Sequence, residues 1–470
     1  MGTFTEDRKG KWARCVLAVM VAVTVVGSGC ARKVVVVNYL GSPALAPGTD
    51  PAMNTAGFWI DRCDAVDEVI MDARSIALFN EQTRQRTRAV TDVTRLSDKR
   101  SGKALRDSLE RMYASILLRG YVDADGKKAL GMLEEIKGNM ALDSIPETVD
   151  VRWALVARFT DQRLLPTTDA LYKDASDRSI DRLQNNTLDL ASEVAVCHES
   201  KDGGWTYVIG PYSEGWVRSS DIAVCERGLI ERYRAWEPFV VTLQPKTDLF
   251  LDPMLRRRAA WVQMGTRLPL LERVNGEVSK VLVPVRGQDG TCVFDAAYVA
   301  TRDTSEGYLP YTPRNALVQA FRLLNAPYGW GGMYGEQDCS RLVQQVFATF
   351  GILMPRNSSQ QARVGKVIAD LSGEADPAQR RAAITQLATP GITTLQFPGH
   401  IMLYIGHVSG IPYAIHDLHA YTEKVDGEER TIALARVCVT SLDLGGTSSR
   451  GSFLMRIANV REIALEGLTP

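Results

Sequence analysis

The sequence predicts a multidomain chain with an N-terminal helical segment, two small β-rich barrels and a C-terminal α+β domain. The first observation is length, because 470 residues correspond to about three domains. The second is a change from helical periodicity over 58–140 to short β-like stretches with glycine turns after Asp150. The third is the alternation of helical and strand patterns from Tyr311 onward.

These changes of pattern set the predicted boundaries. The domains are a signal segment over 1–30, a helical domain over 45–145, β-rich domains over 150–228 and 236–305, and an α+β domain over 311–470. Lysine plus arginine and aspartate plus glutamate both number 55, so the chain has no basic surface of the kind that binds nucleic acid. We therefore predict no nucleic-acid partner, and the oligomeric state stays open.

The N-terminus predicts export. Basic residues precede an apolar run over 15–26, which is too short for a comfortable transmembrane helix. The run ends in "GSGC", which resembles a lipoprotein signal cleaved before Cys30, although Gly27 stands where such signals usually carry an aliphatic residue. This predicts a periplasmic or cell-envelope protein, attached to the membrane only through a lipid anchor on Cys30. A plain cleaved signal and an uncleaved anchor are the alternatives.

The remaining cysteines indicate no metal site, because none form a C-x-x-C pair. We predict no cofactor. An exported chain can form disulfides, and Cys197 with Cys225 is the first pair to consider, although spacing alone does not establish it.

Cys339 has three interpretations: a core residue, half of a disulfide or a nucleophile. Apolar residues recur at helical spacing from Leu342 to Phe350, and Gly351 is a stop signal. Cys339 therefore lies at or near a helix N-terminus, where the helix dipole favours a thiolate. A nucleophilic thiol also needs a base.

Four of the five histidines lie within 400–419, over two strand-like stretches that predict a hairpin. A three-residue loop about Val408 places His400 opposite His416, and a two-residue loop places it opposite Asp417. Either partner could hold the imidazole of His400 in one tautomer, as the third member of a triad does. The alternative interpretation is a surface cluster without chemistry.

Two resemblances sharpen these predictions. The stretch "GWVRSSDI" (215–222) resembles bacterial SH3-like domains, and the second β-rich block resembles a more divergent copy. The stretch "PYGWGGMYGEQDCSRLVQQVFATFGILMPRNSSQQ" (327–361), together with "GHIMLYIG" (399–406) and "YAIH" (413–416), resembles the NlpC-type cell-wall cysteine peptidases. That resemblance implies a papain-like α+β domain.

The resemblance also implies roles. Cys339 is the nucleophile, His400 the general base and later the general acid, and His416 the orienting residue. Asp338 and Ser340 would help to bind the free amine of a cell-wall peptide, and Tyr328 would support the oxyanion. The first SH3-like domain would lend Tyr212 to the amine pocket, with Tyr207 as the second choice. The structural alternatives are a helix N-cap for Asp338, a helix-start residue for Ser340 and barrel-core tyrosines.

The sequence departs from the family pattern in three places. Arg341 replaces the usual glycine, which predicts a narrower or more charged groove. The aspartate expected before the histidine strand is missing from "PGITTLQF" (390–397), and an extra helical stretch over 375–387 predicts a lid or groove wall.

With two SH3-like domains, the chain resembles γ-D-glutamyl-L-diamino acid endopeptidases, which implies peptidoglycan stem peptides with a free L-Ala terminus as substrates, as in murein peptide recycling. The alternatives are a peptidoglycan-binding scaffold without activity and an amidase or acyltransferase on the same fold. Intact wall as substrate and the identity of the diamino acid stay open.

Overall fold

The computed structural model describes residues 34–35 and 45–466. The predicted signal segment and Cys30 lie outside the described residues, so export and lipidation stay predictions. Among the helices within this range, none combines the length and the apolar character that crossing a membrane requires.

The N-terminal segment is mainly helical. Its elements are β1 (Val34–Val35), α1 (Ala56–Ile60), α2 (Ala73–Thr87), β2 (Lys99–Ser101), α3 (Gly102–Leu118), α4 (Leu130–Asn139) and β3 (Thr148–Asp150). The longer helices begin where side-chain oxygens satisfy free N–H groups: Asp72 accepts from the Ser75 amide and Ser101 from the Ala104 amide.

The helical segment joins two different cores. Trp59 of α1 and Phe79 of α2 are buried in the core of the C-terminal domain. Leu109 and Tyr113 of α3 are buried in a core that they share with the first β-rich unit. The segment therefore ties the C-terminal domain to the β-rich region, because each of its halves buries its apolar face against a different partner.

The first β-rich unit is a seven-stranded antiparallel sheet with the order β10-β4-β7-β8-β9-β5-β6. Its strands are β4 (Arg152–Val156), β5 (Thr160–Arg163), β6 (Gln184–Leu188), β7 (Glu193–Glu199), β8 (Trp205–Ile209), β9 (Glu214–Arg218) and β10 (Ile222–Cys225). Gly215 and Trp216 lie at its centre. A Cβ on Gly215 would approach the Arg163 carbonyl oxygen to 2.6 Å, so only glycine allows this close approach.

The second β-rich unit follows α5 (Arg227–Arg234) and has seven strands in the order β13-β12-β16-β15-β14-β11-β17. They are β11 (Phe239–Thr242), β12 (Lys246–Phe250), β13 (Arg258–Gln263), β14 (Arg267–Arg273), β15 (Val278–Arg286), β16 (Cys292–Ala300) and β17 (Thr304–Glu306). Its own apolar core includes Leu249, Val262, Val281 and Val299. A small hydrophobic core of this kind is typical of a small barrel.

The C-terminal domain places helices on both faces of a seven-stranded sheet with the order β1-β22-β21-β20-β19-β23-β18. Its helices are α6 (Pro313–Arg322), α7 (Cys339–Ala348), α8 (Ser358–Gln361), α9 (Pro377–Leu387) and α10 (Phe453–Arg456). Its strands are β18 (Lys366–Asp370), β19 (Thr393–Phe397), β20 (His400–Val408), β21 (Ile411–Val425), β22 (Glu428–Ser441) and β23 (Asn459–Glu462). Buried residues of α6 and α7 pack against one face, and buried residues of α9 and α10 pack against the other. The multidomain architecture predicted from the sequence is confirmed.

The predicted hairpin forms from β20 and β21, but its turn differs from both predictions. Val408 pairs with Ile411, so the two-residue turn is Ser409–Gly410. Both turn residues have positive φ, 50° and 78°, as a type I′ turn requires.

The register of the hairpin also differs. A bulge in β20 shifts the pairing, and beyond it Leu403 pairs with Ile415. Continued to the start of β20, this register makes His400 and His416 diagonal neighbours on one face of the sheet. The direct oppositions predicted for His400, to His416 or to Asp417, are therefore wrong, because the turn position and the bulge were not visible in the sequence pattern.

The cysteine pair also needs correction. The six cysteines of the described residues are all free thiols. Cys225 contacts the thiol of Cys292 in the second β-rich unit rather than that of Cys197.

Candidate active site

Cys339 is the first residue of α7, as its position before the helical pattern predicted. Asp338 is the N-cap, and its Oδ1 accepts a hydrogen bond of 2.9 Å from the Arg341 amide. The apolar side of the helix, including Leu342 and Val346, is fully buried. Burial of that side fixes the helix, so its N-terminal end presents Cys339 to an adjacent cavity.

We call this cavity of about 510 Å³ the front cavity. Its wall includes Asn185, Tyr328, Trp330, Gly331, Asp338, Cys339, Ser340, Arg356, Phe397, His400, His419, Arg450, Phe453 and Arg456. The predicted nucleophile and the predicted base therefore lie in one cavity, although 61 positions separate them in the chain.

A polar chain extends from the cavity wall, in which Thr440 continues the two histidines of the triad interpretation, His400 and His416. His400 Nε2 lies 2.6 Å from His416 Nδ1, and His416 Nε2 lies 2.8 Å from Thr440 Oγ1. If His400 Nε2 donates to His416 and His416 Nε2 donates to Thr440, Nδ1 of His400 is left as an acceptor for the thiol proton. The arrangement thus allows His416 to fix the tautomer of His400.

Burial keeps the thiol and the imidazole neutral in the free protein. Burial, with the negative charge of Asp338 as the second cause, raises the pKa of the Cys339 thiol to about 12. Burial also lowers the pKa of His400 to about 3, with the nearby Arg456 cation as a second cause. The thiolate expected from the helix dipole is therefore not the resting state, because desolvation of a charged sulfur outweighs the dipole.

Asp338 does more than cap the helix. Arg356 donates to both of its oxygens, at 3.0 Å to Oδ1 and 2.6 Å to Oδ2. Ser340 donates to Oδ1 at 2.9 Å, and the Gly331 amide donates to Oδ2 at 3.2 Å. These contacts lower the pKa of Asp338 despite its burial, with the Arg356 charge as the main favourable cause. Asp338 is thus ionised and already saturated with donors.

The first β-rich unit completes the front cavity. Asn186 Oδ1 accepts from Arg356 Nε at 2.7 Å, and Asn186 Nδ2 donates to Ser213 at 2.8 Å. The neighbouring Asn185 lines the cavity directly. The arginine that holds Asp338 is therefore held in turn by the β-rich unit.

The two glycines of the "WGG" stretch allow the first β-rich unit to approach the C-terminal domain closely. Gly331 and Gly332 have φ of 64° and 86°. A Cβ at Gly331 would lie 2.8 Å from the Gln184 side chain, and one at Gly332 would lie 2.5 Å from Thr187 Oγ1. Gln184 also donates to the Gly331 carbonyl at 3.3 Å. Glycine is needed here both for the positive φ and for the close approach.

Tyr328 lines the front cavity as predicted, and its ring lies 5.1 Å from that of His419. Tyr212 does not reach this cavity. It lines a separate one of about 300 Å³, the rear cavity, whose wall includes Arg84, Asp189, Glu193, Arg341 and Gln345. Tyr207 is fully buried and packs on Trp216, 5.5 Å between ring centroids, so it is a core residue of the β-rich unit.

Two further predictions about the groove are wrong. Arg341 lines the rear cavity and does not line the front one, because the helix turn directs its side chain away from Cys339. The extra helix α9 supplies no residue to the front cavity. Instead, Arg380 of α9 donates to the carbonyls of Leu454 and Ile457, which fixes α10 and hence the cavity residues Phe453 and Arg456.

The charge of the front cavity is uneven. Among its described lining residues, Asp338 is the only carboxylate, whereas Arg356, Arg450 and Arg456 are cations. The Arg356 charge is matched by Asp338, so Arg450 and Arg456 leave the lining with a net positive charge. Such a cavity suits a ligand that carries carboxylates.

Sequence reasoning missed Arg356, Asn186 and Thr440. Arg356 lies within the quoted stretch 327–361, after "MP", and its position in that motif was the signal that could have found it. Asn186 and Thr440 carry no comparable local signal, because their partners are remote in the sequence.

The comparisons with known proteins agree with this geometry. Residues 325–419 match the NlpC/P60 family, and residues 169–218 match the SH3 domain of the SH3b1 type. A γ-D-glutamyl-L-lysine dipeptidyl-peptidase of Bacillus cereus is 29% identical over 204 residues, which are 40% of this chain and 56% of that protein. The match thus spans only about half the length of that relative.

One solved structure shows the same fold over most of the chain. An NlpC/P60 endopeptidase from Photobacterium damselae subsp. piscicida matches with a TM-score of 0.71 and 21% identity, over 87% of this chain and 96% of that one. An NlpC/P60 family protein from Bacillus cereus has a TM-score of 0.47 and 19% identity, over 67% of this chain and 100% of that one. By its two family matches, this chain contains an NlpC/P60 domain preceded by an SH3b1-type SH3 domain.

Proposed function

We propose that the protein is a cysteine endopeptidase that cleaves the bond between γ-D-glutamate and the diamino acid of peptidoglycan stem peptides, preferring those with a free N-terminal L-alanine. The observation that carries the proposal is the convergence of Cys339 and the His400–His416–Thr440 chain on one cavity. The name of the Bacillus cereus relative supports the choice of bond.

The reaction follows from the neutral thiol and imidazole. Sγ of Cys339 attacks the carbonyl carbon of the scissile amide while its proton passes to His400, which gives a tetrahedral oxyanion and an imidazolium. His400 then gives this proton to the leaving amine, the C–N bond breaks and a thioester remains. Water, deprotonated by His400, attacks the thioester; the C–S bond breaks, and His400 returns this proton to the leaving sulfur, which restores the thiol and the neutral imidazole. The thiol proton has to move to His400 during the attack, because Cys339 and His400 are both uncharged in the free protein.

The cavity also supports an acidic peptide as substrate. Arg450 and Arg456 both line the cavity, and Arg456 stacks on Phe397 with its guanidinium 4.1 Å from the ring. A stem peptide carries the free α-carboxylate of its γ-linked D-glutamate close to the scissile bond, and a fixed guanidinium is a good partner for such a group.

Recognition of a free amine depends on Asp338, since no other described lining residue is anionic. The carboxylate already accepts from Arg356, Ser340 and two backbone amides, so an ammonium would share it with those donors. We therefore expect the free amine to give a preference for free peptides rather than an absolute requirement. Attachment to the cell envelope through Cys30 remains part of the proposal that rests on the sequence alone.

The test is incubation of the full-length protein with L-Ala-γ-D-Glu-meso-diaminopimelate, its L-lysine counterpart and the N-acetylated form of each. Products are read by mass spectrometry, with Cys339→Ala as the control. We expect cleavage after D-glutamate, faster for the free amines and absent in the control.

Equal cleavage of acetylated and free peptides would refute amine recognition while keeping the peptidase. Absence of cleavage of all four peptides would refute the peptidase proposal. Retained binding of those peptides would then favour a wall-binding scaffold.

A further inference from the structure

The rear cavity lies on the opposite side of α7 from the front cavity, and the two share no lining residue. Its wall is assembled from every region of the chain: α2 and the loop after it, both β-rich units, α5 and α7. At about 300 Å³ it lies at the lower end of the volumes typical of ligand pockets. A ligand that fits here is therefore small.

Four of the residues that line the cavity carry buried polar atoms with no hydrogen-bond partner. Among the described residues, the unpartnered buried side-chain atoms include Nε of Arg84, Oγ1 of Thr187, Nε of Arg341, and both Nε2 and Oε1 of Gln345. All four residues line this one cavity. A buried polar group without a partner costs about 1–3 kcal/mol, so their concentration at one cavity points to an occupant that binds them.

The unpartnered groups are mainly donors. The two guanidinium N–H groups and the Gln345 amide can all donate to a carboxylate. Gln345 is 2% exposed and Arg341 is 7% exposed, so these donors are held within the protein rather than in bulk solvent. This part of the cavity suits an anion.

The same wall also carries carboxylates that can receive a cation, beside two further arginines, Arg234 and Arg267. Asp189 receives only long contacts: 3.3 Å from the Gln263 amide, 3.4 Å from Thr266 and 3.6 Å from Arg341. Glu193 has one contact, 3.4 Å from Arg234, which it shares with Asp92. Burial raises the pKa of Asp189 to about 6 and that of Glu193 to about 7, and the charges of Arg341 and Arg234 offset this only in part.

We propose that the rear cavity binds a small zwitterion, a free amino acid or dipeptide. Its carboxylate would meet Arg84, Arg341 and Gln345, and its ammonium would meet the carboxyls of Asp189 and Glu193. Bound ligand would also hold the β-rich units against α7, because the wall comes from all of them. The proposal is independent of the peptidase activity.

The experiment is calorimetric titration of the full-length protein carrying Cys339→Ala with L-alanyl-L-alanine, chosen because its termini are its only charges. N-acetyl-L-alanyl-L-alanine lacks the ammonium, and L-alanyl-L-alanine amide lacks the carboxylate. We expect the zwitterion to bind at least about tenfold more tightly than either, the effect of losing one hydrogen-bonded charge.

Matched variants locate the site. Arg84→Gln alters the rear cavity and Arg456→Gln alters the front cavity by the same chemical change. We expect Arg84→Gln to weaken binding by about tenfold and Arg456→Gln to leave it unchanged. Gln345→Leu is a second rear variant, and circular dichroism confirms that each variant is folded.

Three results would overturn the proposal. If no probe binds, the cavity holds water only. Equal affinity for all three peptides would refute recognition of a zwitterion. Binding that is lost in Arg456→Gln and kept in both rear variants would assign the ligand to the front cavity.

A second and independent observation concerns the contact between the β-rich units. A parallel bridge joins Val224 to Thr291, and the next residues are Cys225 and Cys292. Neighbouring strands are about 4.8 Å apart, which is within the Cα separation that a disulfide spans. The thiols of these two half-buried residues contact each other.

We infer that Cys225 and Cys292 form a disulfide between the two β-rich units when a small disulfide oxidant is present. Each thiol loses its proton, the S–S bond forms through a mixed disulfide, and the oxidant is reduced to two thiols.

The test is incubation of the full-length protein with oxidised glutathione, followed by proteolysis without reduction and mass spectrometry. We expect one linked peptide pair containing Cys225 and Cys292, absent in Cys292→Ser and present in Cys197→Ser. Recovery of Cys225 as a free thiol, as a glutathione adduct or linked to Cys197 would overturn the inference.

Discussion

The front and rear cavities lie on two sides of the same helix, and they differ in how their charges are satisfied. In the front cavity, Asp338 is paired with Arg356 at hydrogen-bond distance. In the rear cavity, Arg341 approaches Asp189 only to 3.6 Å, and its Nε has no partner among the described residues. The Asp338–Arg356 pair of the front side is thus closed, whereas the Asp189–Arg341 pair of the rear side is open.

This difference indicates where each part of the chemistry resides. A nucleophile requires fixed neighbours, since catalysis depends on groups held in position before the substrate arrives. Unfilled contacts indicate a site that is completed by an occupant. Substitutions at the fixed contacts of the front side test this difference, with control substitutions elsewhere in the molecule.

The largest effect is expected from Cys339→Ala. Removal of the nucleophile should lower kcat by a factor of about 10⁴ or more, because the acyl-enzyme can no longer form. Thermal unfolding should change little, since the cavity tolerates a smaller side chain. Steady-state kinetics on the free tripeptide measures the loss, and residual activity within tenfold of the wild type would contradict the assignment.

Among the contacts of the front cavity, the buried Asp338–Arg356 pair should contribute most to the free energy of unfolding. Arg356→Met leaves an unpaired buried carboxylate and should lower the free energy of unfolding by about 3–5 kcal/mol at neutral pH. The pKa of Asp338 is lowered in the folded protein, so this stabilisation is present above its unfolded pKa and is lost as the pH falls through the lower folded value.

Urea denaturation of wild type and variant, at neutral and at acidic pH, measures this difference. We expect it to shrink at acidic pH, where Asp338 of the variant is protonated. Arg381→Met removes a partly exposed pair with Asp443 and should cost less than about 1 kcal/mol. Equal losses in the two variants would contradict the special role of the buried pair.

The neutral thiol predicts a particular pH dependence of alkylation. With the pKa of Cys339 near 12 and that of His400 near 3, the reaction of Cys339 with iodoacetamide should rise about tenfold per pH unit across the neutral range. Peptide mass spectrometry follows this site alone. A rate that is constant across that range would instead show a thiolate–imidazolium pair in the free enzyme.

A substitution of Thr440, which ends the hydrogen-bonded chain of His400 and His416, should have a smaller effect on kcat. Thr440→Val removes the partner of His416 Nε2, and an unpaired buried group costs about 1–3 kcal/mol, so kcat should fall roughly tenfold or more with little change in KM. Thr349→Val, which removes a buried hydrogen bond from the C-cap hydroxyl of α7 to the Val346 carbonyl, is the control for packing. A change in KM alone would argue against a positioning role for Thr440.

The smallest effect is expected where the first β-rich unit supports Arg356. Asn186→Ala removes one hydrogen bond to this arginine and should reduce kcat/KM by about fivefold, equivalent to about 1 kcal/mol. Asn139→Ala removes a comparable bond to Asp202 away from both cavities and should leave kcat/KM unchanged. Equal kinetics for the two variants would show that the β-rich unit does not act on the site.

The sequence by itself determined the local features of the site. The position of Cys339 at the start of α7, the N-cap role of Asp338 and the hairpin that carries the histidines depend on residues only a few positions apart. Periodicity, capping and turn chemistry are short-range effects, so a pattern of residues is enough to reveal them.

Only the tertiary structure decided which side chains meet across the chain. The Asn186–Arg356 bond joins residues 170 positions apart, and Tyr212 and Arg341 line the rear cavity instead of the front one. The diagonal contact of His400 with His416 depended on a bulge. Such contacts are set by how the β-rich unit and the sheet pack around α7, and packing between distant segments leaves no periodic signal in the sequence.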